Sequence, residues 1–277
     1  MALTVRTNIA AITSSGALNK TTKKLQKSLL RVSSGLRINS AADDAAGMGV
    51  ANALETSSIS LRQAMRNTND GVSIIQTAET AADEITNILQ RMRELAVQSA
   101  SETLSDQERS YIGDEYDELL SEIDRIAAST QFNGVDLTNS TTELAVQVGT
   151  TSSTMISQIS IHLGDLTAST GLGLNAGTVS LTSSTQARLS LDVIDTALTS
   201  VNSLRASFGA VQNRLDNTLA NAQTYYEALA AAESRIRDLD FADETAELSK
   251  LQILQQSGVA ALAQAKNINQ SVINLLQ

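Results

Sequence analysis

A chain of 277 residues with 3% aromatic content and no Trp, Cys or Pro carries a formal net charge of −10. Scarce aromatics argue against large globular cores, absent Cys excludes disulfides and thiolate metal sites, and absent Pro suits long helices, since Pro costs about 3 kcal/mol in a helix interior. Residues 1–42 hold seven bases and no acid, residues 248–277 hold Lys250 and Lys266 and no acid, and the stretch between carries all 30 acids.

Basic ends around an acidic body read either as solvated helix faces or as surfaces for a specific partner. Nucleic acid is disfavoured, because the bases are not interleaved with aromatics and the body would repel phosphate. No apolar run is long enough for a secretory signal or a membrane span. By these tests alone the chain reads as soluble and cytosolic.

In chain order, Val5, Ile9, Ile12 and Gly16 open one helix, whose stripe then slips to Leu18, Leu25, Leu29, Val32 and Leu36. Residues 39–49 (NSAADDAAGMG) have the small-residue composition of a connector. From Leu61 a three-four pattern runs through Ala64, Thr68, Gly71, Ile75, Ala78, Ala82, Ile85, Leu89, Met92 and Ala96, with a second stripe of Ile74, Ala81, Ile88 and Leu95 beside it. An apolar face that wide should touch more than one neighbour.

Ser105 and Glu108 have the spacing of a capping box, followed by a helix with Ile112, Tyr116, Leu119, Ile123 and Ile126 on one face and acids on the other. Turn chemistry follows at Phe132, Asn133 and Gly134. Between residues 138 and 185 the period becomes two. Leu144, Val146 and Val148, then Ile159, Ile161 and Leu163, predict a β-hairpin, with Val179 and Leu181 as a further short strand.

A long helix is predicted over residues 194–236, where Ile194, Ala197, Val201, Leu204, Phe208, Val211, Leu215, Thr218, Ala222, Tyr225, Leu229, Ala232 and Ile236 alternate steps of three and four. Such a helix needs partners of matching length, and the stretch from Leu61 supplies one. Asp238, Asp240, Asp243 and Glu244 then give an acidic start to a last helix. Its seam reads Leu251, Leu254, Gly258, Ala261, Ala265, Ile268, Val272 and Leu275, with small residues that permit close approach. The N-terminal helix is its partner by length, so the chain ends should pair and the middle should form a separate bundle.

No catalytic, cofactor or metal site is found. His162 alternates onto the polar side of its strand, and no second His or Cys supplies a nucleophile pair. Gly171, Gly173 and Gly177 lack the dinucleotide spacing, and the acids from Asp238 onward lack the glycine and twelfth-position Glu of a calcium loop. Asn139 and Asn269 open formal glycosylation sequons that are common by chance.

Five segments, SSGLRINSAADDAAGMGVAN (33–52), QRMRELAVQSA (90–100), QFNGV (131–135), FGAVQNRL (208–215) and ILQQSGVAALAQA (253–265), stand in an order that resembles bacterial flagellins. The resemblance spans nearly the whole chain, departing in the tail NINQSVINLLQ, where many relatives have a Pro. It implies a mainly α subunit that polymerises into the flagellar filament for motility and is not an enzyme. Residues 1–42 with 241–277 would form the coiled-coil filament core, and residues 43–240 the outer tube, without large variable outer domains. Polymerisation seams would comprise Leu25, Leu29, Val32, Leu36 and the last-helix residues Leu251, Leu254, Gly258, Ala261, Ala265, Ile268, Val272 and Leu275.

Implied partners are other copies, hook-associated junction and cap proteins, and an export chaperone with the type III apparatus that delivers the chain outside the cell. Neither nucleic acid nor membrane is among them. The family's recognition by animal Toll-like receptor 5 maps onto Leu89, Gln90, Arg91, Leu95 and Glu115. Leu95 belongs to the second stripe, expected to be free of the intramolecular seam. A hook-filament junction protein, or an amphipathic lipid-surface protein, are the other readings.

Overall fold

The computed structural model describes residues 7–175 and 179–275, with side chains to residue 267; Val5 and Gly177, and the side chains of Ile268, Val272 and Leu275, lie outside the described residues. Six helices, α1 (Ile9–Ser34), α2 (Ala45–Ser99), α3 (Asp106–Ser129), α4 (Thr154–Ser157), α5 (Ser184–Arg237) and α6 (Phe241–Leu275), account for most of them. Strands β1 (Gln131–Phe132) and β2 (Val135–Asp136) pair antiparallel, as do β3 (Glu143–Gln147) and β4 (Gln158–His162). The mainly α class with a small hairpin is as expected. Two compact units, Met1–Ser58 with Glu227–Gln277 and Ile59–Tyr226, divide the chain within α2 and within α5.

In the first unit α1 and α6 run antiparallel. Asn8 donates to the Ala265 carbonyl at 2.8 Å, a Cβ at Gly258 would sit 3.2 Å from Leu18, and Arg31 lies 3.7 Å from Glu244. Asn8 caps α1 by accepting from the Ala11 amide at 2.9 Å, and Gly35 closes it in the left-handed region (φ 71°) with Phe241 across it.

The inward face of α6 keeps the heptad positions Leu251, Gly258 and Ala265, yet the positions between them are half-buried Gln255 and Leu262. Leu254 and Ala261 are exposed, which corrects the predicted intramolecular seam. On α1 likewise, Ser28 is buried and Leu29 is 58% exposed. Apolarity misled in both cases. Two helices this close take small or slender side chains at the contact, and Ser28 and Gln255 fill it while the larger apolar groups turn outward.

The connector is shorter than predicted, because α2 begins at Ala45 and takes in Gly47 and Gly49. Asp44 starts that helix by accepting from the Gly47 amide at 2.9 Å, and a Cβ at Gly47 would lie 2.4 Å from the Asp44 carboxylate and 2.9 Å from buried Ile38. Asp43 accepts from the amides of Asn39 (3.2 Å) and Ser40 (3.1 Å) and meets Lys27 at 2.5 Å.

The second unit has two apolar clusters along α2 and α5. One gathers Ile85, Leu89, Met92 and Leu95 of α2 with Ile112, Tyr116 and Ile123 of α3, Ile194 and Val201 of α5, and Leu166, Leu172, Val179 and Leu181 of the intervening segment. The other joins Ile75 and Ala78 to Phe208, Val211 and Leu215, beneath Val146, Ile159 and Ile161 of the hairpin. Every α2 residue of the predicted seam is buried, and α2 does meet several neighbours.

On α5, Tyr225 leaves the seam and is 55% exposed, while Tyr226 takes the Arg62 guanidinium over its ring at 5.7 Å. Val179 and Leu181 are buried but form no strand. Among the described residues their segment pairs with no strand; the Val179 amide donates to the Asn175 carbonyl at 3.0 Å, and Ser99 donates to the Leu181 carbonyl at 2.8 Å. The β3–β4 register places Leu144 opposite Ile161 and Val146 opposite Ile159. Asn133 (φ 50°) and Gly134 (φ 79°) make the two-residue turn of the β1–β2 pair, strands that the turn signal alone did not predict.

Candidate assembly surfaces

Burial against one partner leaves α1 and α6 apolar on a second side. Ile9, Ile12, Leu29 and Leu30 of α1 and Ile253, Leu254 and Val259 of α6 are all exposed. Scattered exposed aliphatics are ordinary, but repetition along both members of a helix pair leaves an apolar surface of the kind that marks an interaction site. Of the expected seam residues, Leu25, Val32, Leu36 and Gly258 are half-buried, Leu251 and Ala265 buried, and Leu29, Leu254 and Ala261 exposed. Lys20, Lys23, Lys24 and Lys27 add a cationic face to α1 without an acid on that helix.

In the second unit, Arg91 of α2 reaches across to α3. Its guanidinium donates to Glu115 at 3.0 and 2.8 Å and to Glu94 at 3.1 Å, and these carboxylates, Glu115 foremost, raise its pKa further. Gln90 beside it is exposed. Leu89 is buried in the seam as expected, at 0% exposure, but Leu95 is buried too, at 1%, so the expectation that the second stripe lies free is not met. The apolar face of α3 needed a partner and took that stripe, leaving Gln90, Arg91 and Glu115 as the accessible members of the group.

Several residues carry roles that spacing did not single out. Arg109 is buried on α3 and donates to the backbone at the end of α2. Asp165 accepts from the Thr167 amide at 2.9 Å and from the Thr167 and Thr170 hydroxyls at 2.6 and 2.9 Å; partial burial opposes its ionisation, and these hydrogen bonds outweigh it and lower its pKa. Burial pushes the Tyr116 phenol upward. At the hairpin turn Met155 and Ile156 stand out at 92% and 78% exposure, legible in the sequence only as two apolar residues inside a Ser/Thr run.

Among the described residues no group of three His, Cys, Asp or Glu side chains could hold a metal, and no helix is long and apolar enough to cross a membrane. His162 is exposed, 3.9 Å from Glu143.

Profiles of the bacterial flagellin N-terminal helical region and C-terminal helical region match residues 5–143 and 191–276. The chain belongs to the bacterial flagellin family. A flagellin of Halalkalibacterium halodurans is 44% identical over 91% of this chain and 92% of its own length. Flagellin FlaB2 of Treponema pallidum is 39% identical over 98% of both. A solved hook-associated protein from Vibrio parahaemolyticus, described as a putative one, shares the fold at a TM-score of 0.61 over 71% of this chain and 100% of its own, at 16% identity. Flagellins are structural proteins.

Proposed function

We propose that this flagellin is the subunit that polymerises into a flagellar filament and so serves swimming motility. The observation that carries the proposal is the doubly apolar α1–α6 pair, whose outer residues Ile9, Ile12, Leu29, Ile253, Leu254 and Val259 stand exposed among the described residues. Burial of such residues is worth about 25 cal/mol per Å² of apolar area, and it accumulates when each subunit supports several neighbours.

In this reading residues 1–42 with 241–277 form the filament core and residues 43–240 the outer tube. The filament is extracellular, reached through a type III apparatus with an export chaperone, and its ends meet junction and cap proteins. Outside the bacterium, Gln90, Arg91 and Glu115 form the accessible part of a surface for Toll-like receptor 5. Purified protein seeded with filament fragments tests the central claim. Negative-stain microscopy should show growing filaments, and protein that stays monomeric at every concentration and salt tried would overturn it.

A further inference from the structure

Of the five methionines in the chain, Met1 lies outside the described residues and the others span the whole range of exposure. Met92 stands at 0% within the apolar cluster of α2, α3 and α5, Met48 and Met65 of α2 are half-buried, and Met155 stands at 92%. With no cysteine present, these thioethers are the only sulfur the chain offers to an oxidant.

Met155 belongs to α4, in a turn whose sequence GTTSSTMIS (149–157) has no charge. The turn holds its shape without that side chain. The amides of Val148 and Gly149 both donate to the Ser157 carbonyl, at 2.8 and 3.1 Å, Ser157 donates to the Ser153 carbonyl at 2.9 Å, and the Gln147 side chain donates to the Gly149 carbonyl at 2.9 Å. A change in the polarity of Met155 therefore breaks none of these bonds. Met92 differs on both counts. Its sulfur meets solvent only in molecules whose helices have parted, a minor fraction, and a sulfoxide there would bury a polar oxygen among Leu89, Leu95 and Ile112.

We infer that Met155 is a modification site, oxidised to the sulfoxide by hydrogen peroxide in the unassembled subunit, ahead of Met48, Met65 and Met92 and with the fold intact. A sulfur lone pair attacks one peroxide oxygen, the S–O bond forms and the O–O bond breaks. The sulfur gives up two electrons, the second oxygen leaves as hydroxide, and the proton on the newly bound oxygen passes to it to make water. A neutral oxidant suits a chain that carries −10, because the field of such a chain repels anionic oxidants but not peroxide. The product places a strong hydrogen-bond acceptor where the most exposed large apolar group stood.

Monomer treated with dilute hydrogen peroxide and followed by peptide mass spectrometry tests the assignment. Met155 should oxidise about tenfold faster or more than Met92, and faster than Met48 and Met65, while circular dichroism stays constant through the fast phase. In urea the four rates should converge, because exposure no longer separates them. Met155→Leu should keep the helix content and lose the fast phase. Equal rates in the folded monomer, a spread of rates that persists in urea, or helix content that falls in step with oxidation of Met155 would each overturn the assignment.

Discussion

The buried guanidinium of Arg109, on α3, donates to the carbonyl of Ser99, the last residue of α2. It also reaches the carbonyls of Ser101 at 2.7 Å and Leu104 at 3.3 Å. These acceptors lie where a helix ends and its backbone lacks helical partners, and the macrodipole there favours a cation. Arg109→Ala removes that donor from all three, of which Ser99 is fully buried. We expect a loss of about 2–4 kcal/mol in urea unfolding, with Arg109→Lys recovering roughly half at most because it offers a point charge in place of a planar fork. Unchanged stability of Arg109→Ala would refute this.

Two glycines should respond in opposite directions. A Cβ at Gly171 would lie 2.0 Å from the Asp165 carbonyl oxygen, so Gly171→Ala must displace the turn that Asp165 organises, at a cost of about 2 kcal/mol or more. Gly113 sits inside α3 with open space where its Cβ would be, and Gly113→Ala should stabilise the monomer by about 0.5–1 kcal/mol through helix propensity. Thermal unfolding of both variants checks the pair, and midpoints moving the same way would count against the packing described.

Acid should loosen the connector before α2. The Lys27 ammonium, assisted by the Asn39 and Ser40 amides and against a desolvation penalty, lowers the Asp43 carboxyl to about 2. Its folded value lies below the unfolded value of about 3.9, so the contribution is present above about pH 4 and disappears as pH falls through about 2. Carbon NMR of the side-chain carboxyls should find one group titrating near 2 that vanishes in Asp43→Asn. A midpoint near the ordinary value for Asp43 would contradict the ion pair.

Substitutions on opposite sides of α6 should separate pairing from polymerisation. Ala265 is 8% exposed against α1, whereas Ala261 faces outward. Ala265→Phe overpacks the pair by about 1–3 kcal/mol and should expose α1 to protease in the monomer. Ala261→Phe should leave that protection intact and affect only sedimentable polymer. Equal protease patterns in the two variants would show that the inward face is misassigned.

Receptor recognition is best probed at Arg91 and Gln90. Leu95→Ala removes a fully buried side chain and should cost about 2–5 kcal/mol, so loss of signalling in that variant would report unfolding. Arg91→Ala breaks surface pairs with Glu115 and Glu94, which solvent screens, and should stay folded. Reporter cells bearing Toll-like receptor 5 should respond weakly to folded Arg91→Ala monomer, and a full response would exclude Arg91 from the contact.

Periodicity revealed the seams of α2 and α5 almost residue by residue, because those helices bury an apolar stripe against partners in the same chain. It failed on α1 and α6 for the complementary reason. These helices are apolar on two sides, and pattern alone cannot tell which side meets the intramolecular neighbour, so Leu254 and Leu29 were placed inward and Gln255 and Ser28 overlooked. Leu95 was misplaced because the apolar face of α3 packs against it, a tertiary contact with no periodic signature. The hairpin was legible from alternation, but its exposed tip is a statement about what two side chains lack, which no spacing conveys.

The 55 residues of α2 and the 54 of α5 are each one unbroken helix in a chain without a single proline. Time is the quantity this governs. Prolyl isomerisation, which delays many proteins by tens of seconds, has no bond to act on here, and helix elongation proceeds in nanoseconds per residue once a turn has nucleated. The slow events left to the second unit are the docking of α3 and the closing of the hairpin, microsecond to millisecond steps for contacts of this kind. A subunit that joins a polymer one copy at a time is thus ready to hold the next almost as soon as it arrives.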